Sequence, residues 1–560
     1  MSERYTRLAM IAGAVVALRY EYRRPVFSLS DRIREDRDNI LIGTRKDLQA
    51  RFPENPARQP GATISVASAA AVPRETGVRP AGEKISRAHA RITLSGDSPG
   101  EMDRAVKAFA ALSYPFPDSA VTKIEKLNLP AVKAHMIQKG LAPGKSYDLA
   151  SLGMPTTVFR GMASPARGVD VRLPSDLYLT PNRFASIVLH MAYDAAMRSD
   201  SVLNIRLNGK FISGIPLDNP QGDYFKGYKV DIPLSSFAPG MNRLVFEAVL
   251  TPLHTDKCTL IQTENLRLIV YKDSKIIIPE VQHWIKMPKI EVFFQDAFPF
   301  GSWPDMRETN VVVTGKSFAA AAAAVNLVAL SSQKIGYPPF GIQTAFSLQD
   351  TTADKNLMLV GPLSTIPEPI SASAPLAGYD PAEVTLPSMA RPRENSARPF
   401  DFRSLTFGET TAAPENRSDR VGFSPVRGSM TGELGRDRAV LMQMQHPQAA
   451  DRTVLVLSAS SNADLESGSQ TLWEPAIQSS CTGDLALLDF ATDEPAATSA
   501  QIGPSYYLGN PGPAPRLQNL INNHPLKALA VLLGLLLILC LLILRLLRRR
   551  RQKRASATHV

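Results

Sequence analysis

Apolar and polar positions follow three different rhythms along the chain. The later α/β rhythm is the plainest. VVVTG (Val311–Gly315) is a short apolar run ending in glycine, the pattern of a buried parallel strand and its turn. KSFAAAAAAVNLVALSSQKIG follows as an alanine-rich helix stopped by Gly336 and Pro338. FGIQTAF and NLMLVGPLSTI predict two more strands. RTVLVLSASSNADLESGSQTLW predicts strand, turn and helix, and GDLALLDF a last strand. An earlier stretch repeats this order: a helix in ERYTRLAMIAGAVVALRYEYRRP, strands in PVFSLSD and DNILIGTRKDL, then strand, turn and helix in RITLSGDSPGEMDRAVKAFAAL. NILIGTRKDL matches NLMLVGPLST in pattern, and RITLSGDSPGEMDRAV matches TVLVLSASSNADLESG. Alternation of strand and helix predicts βαβ units with a parallel sheet in each copy. The first copy lacks the strand that should precede its helix, so the chain is expected to begin in mid-domain.

Between the copies the period becomes two. DVRLPSDLYLTPN, ASIVLHMAYD, SVLNIRLNGKFISGIPL, YKVDIPLSSFAPGMNRLVFEAVL and ENLRLIVYKDSKI are short alternating runs divided by Gly, Pro, Asn and Asp. Asn208-Gly209 is a hairpin signal. This region predicts an all-β sandwich or jelly roll. The third rhythm is unbroken: ALAVLLGLLLILCLLIL (Ala528–Leu544) has no charge and no proline, and Arg545, Arg548, Arg549, Arg550, Arg551, Lys553 and Arg554 follow it. That predicts a transmembrane helix whose basic flank stays in the cytoplasm, with everything before it on the other side.

The expected organisation is therefore an incomplete α/β domain over 1–118, a linker with a helical segment over 119–168, and the β domain over 169–300. A second α/β domain over 301–500 carries a long Pro-, Ser- and Arg-rich loop at 369–437. An interfacial helix at 513–525, the membrane helix at 526–547 and a basic tail at 548–560 complete the chain. Arg4 and Arg7 ahead of Leu8–Leu18 have the shape of a signal peptide, but RYEYRRP offers no small-residue cleavage site; a helix of a folded domain is the better reading.

Composition alters this picture little. Hydrophobic and charged fractions of 44% and 21% suit globular domains. The formal charge of +11 invites a nucleic-acid partner, but seven of the basic residues lie in Arg545–Val560 with no acid, leaving +4 over the rest. No nucleic-acid binding is expected.

The order of elements resembles the periplasmic regulatory B subunit family of bacterial cellulose synthase. The resemblance is carried by LPSDLYLTPNRFASIVLHMAYD, LNIRLNGKFISGIPL, IPLSSFAPGMNRLVFEAVL, EVFFQDAFPF and the basic-flanked anchor. It implies a multidomain α/β plus all-β chain: two flavodoxin-like α/β domains flanking a jelly-roll, carbohydrate-binding-like sandwich, then one C-terminal transmembrane helix. It implies no enzyme activity and no cofactor. The expected partners are the cellulose synthase catalytic subunit, the inner membrane and β-1,4-glucan. Members are often labelled cyclic di-GMP-binding. NRSDRVG (Asn416–Gly422) has one residue too many for the usual [DN]-x-S-x-x-G element, and the R-x-x-x-R pairs Arg19–Arg23 and Arg87–Arg91 are far from it. Cyclic di-GMP is thus expected to act only through the complex, or by family label. The competing reading is a free-standing, membrane-tethered periplasmic carbohydrate-binding protein, and a third is a deacylase or glycosidase.

No catalytic or metal-ligating set stands out. His254 and Cys258 are two ligands, not a site. Gly96-Asp97-Ser98-Pro99-Gly100 fits a nucleophile elbow, but all five residues are ordinary turn formers. Gly315-Lys316-Ser317 resembles the end of a phosphate loop without its first glycine. Tyr224, Phe225 and Tyr228, in a glycine-bounded loop, are the candidate sugar platform, with a hydrophobic plug as the alternative. Trp284 and Trp303 are read as packing between domains. Cys540 sits in the anchor; Cys258 and Cys481 either pair in an oxidising periplasm or remain two buried thiols.

Overall fold

The computed structural model describes residues 2–375 and 434–510, except 22, 54–58, 69–88, 113–118, 137, 196 and 254–265, together with 529, 532–534 and 536–547 of the tail. The expected loop at 369–437 lies mostly outside these residues, as do the interfacial helix at 513–525 and the basic tail.

The first unit comprises α1 (Glu3–Tyr20), β1 (Asn39–Thr44), α2 (Arg45–Arg51), β2 (Thr63–Ser68), β3 (Ala90–Gly96), α3 (Pro99–Ala111) and β4 (Val121–Lys123). Its sheet runs β1-β3-β2-β4; only β1 and β3 are parallel. The β domain holds β5 (Lys145–Asp148), β6 (Thr157–Arg160), β7 (Arg167–Leu173), β8 (Phe184–Tyr193), β9 (Val202–Leu207), β10 (Lys210–Pro216), β11 (Asp223–Pro233), β12 (Gly240–Val249), β13 (Arg267–Val270) and β14 (Lys275–Ile278). One antiparallel sheet runs β10-β9-β12-β7. The other runs β5-β14-β8-β13-β6, with β11 along the free side of β8. The inner faces share one core of alternate residues, such as Ile187, Leu189 and Met191 of β8. Asn208 and Gly209, at φ 52° and 78°, make the tight turn between β9 and β10.

The last unit comprises β15 (Trp284–Met287), α4 (Ile290–Asp296), β16 (Thr309–Val313), α5 (Phe318–Ile335), β17 (Gln343–Ala345), β18 (Asn356–Pro362), α6 (Glu368–Ser371), β19 (Arg438–His446), β20 (Ala449–Ala459), α7 (Asn462–Thr471), α8 (Pro475–Ser480), β21 (Leu485–Asp489), β22 (Ala496–Ala500) and β23 (Tyr506–Gly509). Its seven-stranded sheet runs β17-β16-β18-β20-β19-β21-β22, parallel through β20 and antiparallel beyond. Every residue of β16 and β18 is buried, because helices and loops cover both faces of the sheet there.

Three expectations are corrected. Neither α/β sheet is purely parallel, because TISVAS, RAVLMQMQH and AATSA are further strands. β19 reaches β20 through a short hairpin that permits only antiparallel pairing. The stretch 119–168 is not a linker with a helical segment: β5 and β6 pair into the sandwich, and only a single 3₁₀ turn, Leu149–Leu152, is helical between them. Strands of four residues are too short to show alternation. PVFSLSD forms no strand.

The internal repeat is present in the topology. β1-β3-β2-β4 and β18-β20-β19-β21 have the same order and the same parallel and antiparallel pairings. The helix after the third strand is capped by a serine in both: Ser98 Oγ accepts from the Glu101 N–H and Ser461 Oγ from the Asp464 N–H.

The two copies are joined through α1 and α5. Leu8, Met10 and Ile11 of α1 and Ala320, Ala323 and Ala324 of α5 are all fully buried in one core. The interface is close: a Cβ on Gly13 would lie 2.7 Å from Val325 Cγ1. The signal-like apolar run is thus a core helix. Among the described residues α5 is the one helix long and apolar enough to cross a membrane, yet 78% of it is buried inside the protein. The tail helix Leu532–Leu547 differs: its described leucines and isoleucines are 47–63% exposed.

Asn326 is the polar element of this interface. It is fully buried on α5, accepts from the Phe27 N–H at 2.9 Å, and donates to Phe27 O at 2.9 Å and Ser469 Oγ at 3.1 Å. Asn326→Leu strands both backbone groups of Phe27 without their partner, so a loss of about 2–4 kcal/mol is expected. Denaturant unfolding of wild type and variant measures it; a difference under about 0.5 kcal/mol would show that the clamp contributes nothing.

Candidate functional site

Two places combine chemistry with geometry: the outer face of the larger β sheet, and the junction between the sandwich and the last α/β unit. On the outer face the sequence-derived trio is split. Tyr224, Phe225 and Tyr228 lie on the edge strand β11, not in a loop, because DYFKGYKVDIP pairs along nearly all of β8. A bulge between Lys226 and Tyr228, with Gly227 at φ 86°, resets the alternation, so Phe225 and Tyr228 both turn inward. They pack on the sandwich core, 5.4 Å from each other, and Phe225 stacks 6.2 Å from Tyr193. Tyr224 alone points out, 55% exposed, with Tyr271 edge-on at 6.1 Å. Lys226 and Lys229 are also exposed on β11, and His190, paired with Lys226, lies 3.5 Å from Asp273. The surface is an aromatic pair among hydrogen-bonding groups. Tyr271 was missed because it stands alone just after β13.

The junction is built from segments far apart in sequence. Asp176, in the loop after β7, is buried. Its Oδ2 lies 2.8 Å from His283 Nδ1 and 3.2 Å from His135 Nδ1. The two imidazoles stack 3.9 Å apart. Burial pushes the Asp176 carboxyl up, but bonds from His135 and His283 outweigh this and hold it at about 2. Burial pulls His283 down, but its bond to Asp176 leaves it raised on balance. Next door, Asp296 at the end of α4 accepts from Ser175 Oγ at 2.6 Å and from the Ser175 N–H at 2.8 Å; burial still raises its carboxyl. The family-like segments LPSDLYLTPN and EVFFQDAFPF thus meet through Ser175 and Asp296. Arg172 donates to the Gln295 carbonyl and Lys139 to Gln333 O at 3.0 Å. A cavity of about 70 Å³ lies among these groups. No spacing signal pointed to His135, Asp176 or His283, since they belong to three separate segments.

Trp284 packs at the same junction, stacked on Tyr507 at 4.8 Å and edge-on to Tyr178 at 4.8 Å, while Trp303 lies under the Arg307 guanidinium. Ser98 closes a capping box with Glu101, and a Cβ on Gly96 would meet Met102 N at 2.5 Å; this glycine–serine motif is a helix start. Ser317 likewise caps α5 and donates to Asn462 Oδ1 at 2.8 Å. Arg19 lies over the Phe109 ring and donates to Phe109 O at 2.7 Å, so the R-x-x-x-R at the end of α1 is engaged in packing. Cys481 is buried, which pushes its thiol up to about 12. Cys258, His254 and Asn416–Gly422 lie outside the described residues.

A two-sheet antiparallel sandwich fused to α/β units defines a multidomain α/β plus all-β protein. Residues 146–275 match the family model "Cellulose synthase BcsB, second CBM domain", and residues 283–457 match "Cellulose synthase BcsB, second FD domain". The chain belongs to the cellulose synthase BcsB family. It is 25% identical over 422 residues to "Cellulose synthase 1" of Komagataeibacter xylinus, covering 71% of this chain and 26% of that one. It is 24% identical over 394 residues to the "Cyclic di-GMP-binding protein" of Salmonella typhi (67% and 48% covered), and 23% identical over 398 residues to that of Escherichia coli strain K12 (67% and 47%). The chain thus spans about half the length of the last two relatives and about a quarter of the first.

Lys334, at the end of α5, donates to Gln478 Oε1 at 2.7 Å. Burial, with Arg172 and Lys139 nearby, lowers it to about 8. The unfolded chain keeps this proton up to the ordinary value of 10.5, so the folded state binds fewer protons between about 8 and 10.5. Stability referred to this group therefore rises with pH across that window. Denaturation midpoints at pH 7.5, 9 and 10 are expected to rise for wild type relative to Lys334→Met; parallel profiles would remove Lys334 as the source.

Proposed function

We propose that this chain is a non-enzymatic accessory subunit of a membrane cellulose synthase, with its folded part in the periplasm. The observation that carries this is the head-to-tail match of two consecutive domains of one family, across residues 146–457. In this reading the sandwich is a jelly roll, the α/β units are flavodoxin-like, and the tail helix is a single-pass anchor with a cytoplasmic C-terminus. The charge-free run to Leu544, whose described leucines and isoleucines are exposed, and the arginines from Arg545 onward support the anchor. The anchor packs against the catalytic glucosyltransferase, the outer face of the sandwich offers the emerging β-1,4-glucan a place to rest, and cyclic di-GMP acts through the complex.

Mild detergent extraction and a pull-down on a tag at the N-terminus test this. A glucosyltransferase that polymerises UDP-glucose is expected to co-purify, and deletion of Ala528–Leu544 is expected to abolish both its capture and cellulose synthesis. Capture of a glucan-binding protein with no synthase would instead favour the tethered binder.

The glucan surface has its own test. Sugar rings stack their apolar faces on aromatics, and one such contact contributes about 0.5–1.5 kcal/mol. Tyr224→Ala and Tyr271→Ala are each expected to weaken binding to cello-oligosaccharides about three- to tenfold by calorimetry. Phe225 and Tyr228 face the core, so Phe225→Leu is expected to alter stability before affinity. Unchanged affinity in both tyrosine variants would move the surface elsewhere.

A further inference from the structure

His135, Asp176 and His283 come from three separate segments: the stretch before the sandwich, the loop after β7, and the connector leading into β15. Their nearest donor atoms all lie within 4.8 Å of one another. His283 Nδ1 and His135 Nδ1 stand 2.8 and 3.2 Å from the same carboxylate oxygen. Ligands held at about 2.0–2.1 Å around a tetrahedral ion are separated by roughly 3.3 Å, close to the two nitrogen–carboxylate distances here; one imidazole must also turn out of the 3.9 Å stack for both ring nitrogens to aim at one ion. His135 reaches its place at φ 54°, a backbone region that non-glycine residues rarely adopt, and its N–H is fastened to Ser302 O at 2.6 Å. The surroundings compensate for a cation. Asp176 is buried, and a second buried carboxylate, Asp296, stands beside it, held by Ser175. The nearby basic groups are turned elsewhere: Arg172 to the carbonyl of Gln295, Lys139 to that of Gln333 and Lys334 to Gln478. The adjoining cavity of about 70 Å³ has room for a water as fourth ligand.

We propose that His135, Asp176 and His283 form a site for a divalent transition metal of the zinc type. Two imidazole nitrogens and one carboxylate oxygen select such an ion over magnesium or calcium, which take oxygen ligands. The ion ties the segment before the sandwich to the junction between the sandwich and the last α/β unit. Its role is to fix the angle between those units; no catalysis is assigned to it.

The full-length chain in detergent, without a polyhistidine tag and stripped with a chelator, is titrated with Zn²⁺ against a chromophoric competitor and with Co²⁺ by visible absorption. One ion per chain is expected, with the visible bands of tetrahedral Co²⁺ and a rise in unfolding temperature on adding Zn²⁺. His135→Ala and His283→Ala are each expected to lower affinity at least about tenfold, a loss in the range seen when metal sites are damaged. His135→Gln separates the site from simple packing: its amide can still donate to Asp176, yet metal binding is expected to fall as in the alanine variant. Absence of stoichiometric binding, or His135→Gln binding as tightly as wild type, overturns the proposal and leaves the trio as a hydrogen-bonded imidazole–carboxylate cluster.

Discussion

The fold depends on burying two helices against each other with almost no polar surface between them. α5 lies between its own sheet and α1, so neither helix has a solvent face along most of its length. Small residues make this possible: the alanine run of α5 and Gly13 of α1 let the backbones approach, Val325 fills the notch over Gly13, and Leu8 and Met10 pack in the same core. Such an interface is apolar and therefore weakly directional. Asn326 supplies the direction: its amide reads both the N–H and the C=O of Phe27, which fixes the segment after α1 at one position along α5. A buried amide satisfied by three partners is costly to disrupt, and it discriminates one register from its neighbours.

The junction works by the opposite means. There the chain buries carboxylates and cations in small groups, the carboxylates accepting from hydroxyl, backbone or imidazole N–H and the guanidinium donating to a carbonyl. Asp296 is gripped by Ser175, Asp176 by two imidazoles, and Arg172 spans from β7 to the end of α4. Breaking any one partner leaves a buried charge uncompensated, so these contacts resist sliding more than an apolar contact of the same area would. The apolar helix pair thus holds the two α/β copies together, and the polar junction sets how the sandwich meets them.

What was legible in the sequence follows from this division. Runs with a single period were readable: the β16 and β18 strands, the α5 helix, the alternation of β8 and the Asn208–Gly209 turn each carry their own signal. The repeat was readable because NILIGT and NLMLVG keep their apolar positions. Strands of four residues, such as β5 and β6, were not, since two alternations cannot be told from chance. β19 and β2 were missed because the strand–helix rhythm supplied a complete explanation without them. The candidate aromatic trio was read as a loop because the bulge at Gly227 breaks the period-two alternation; it leaves Tyr224 facing water and turns Tyr228 inward with Phe225. His135, Asp176 and His283 carry no local pattern at all; only the fold makes them neighbours.

The position of β23 links these parts to the tail. β23 pairs with β15, whose Trp284 stacks on Tyr507 and whose N–H donates to Asp176 O at 2.8 Å. The last strand among the described residues before the tail is therefore paired with the connector that also supplies His283. Both strands are short, and their four-residue ladder is backed by a buried cluster of Ile285, Met287, Val292, Phe298, Tyr506 and Leu508. The junction is thus where one short strand pair meets the sandwich, through the Trp284 N–H on Asp176 O, and the last α/β unit, through the Tyr506 and Thr453 hydroxyls at 2.7 Å.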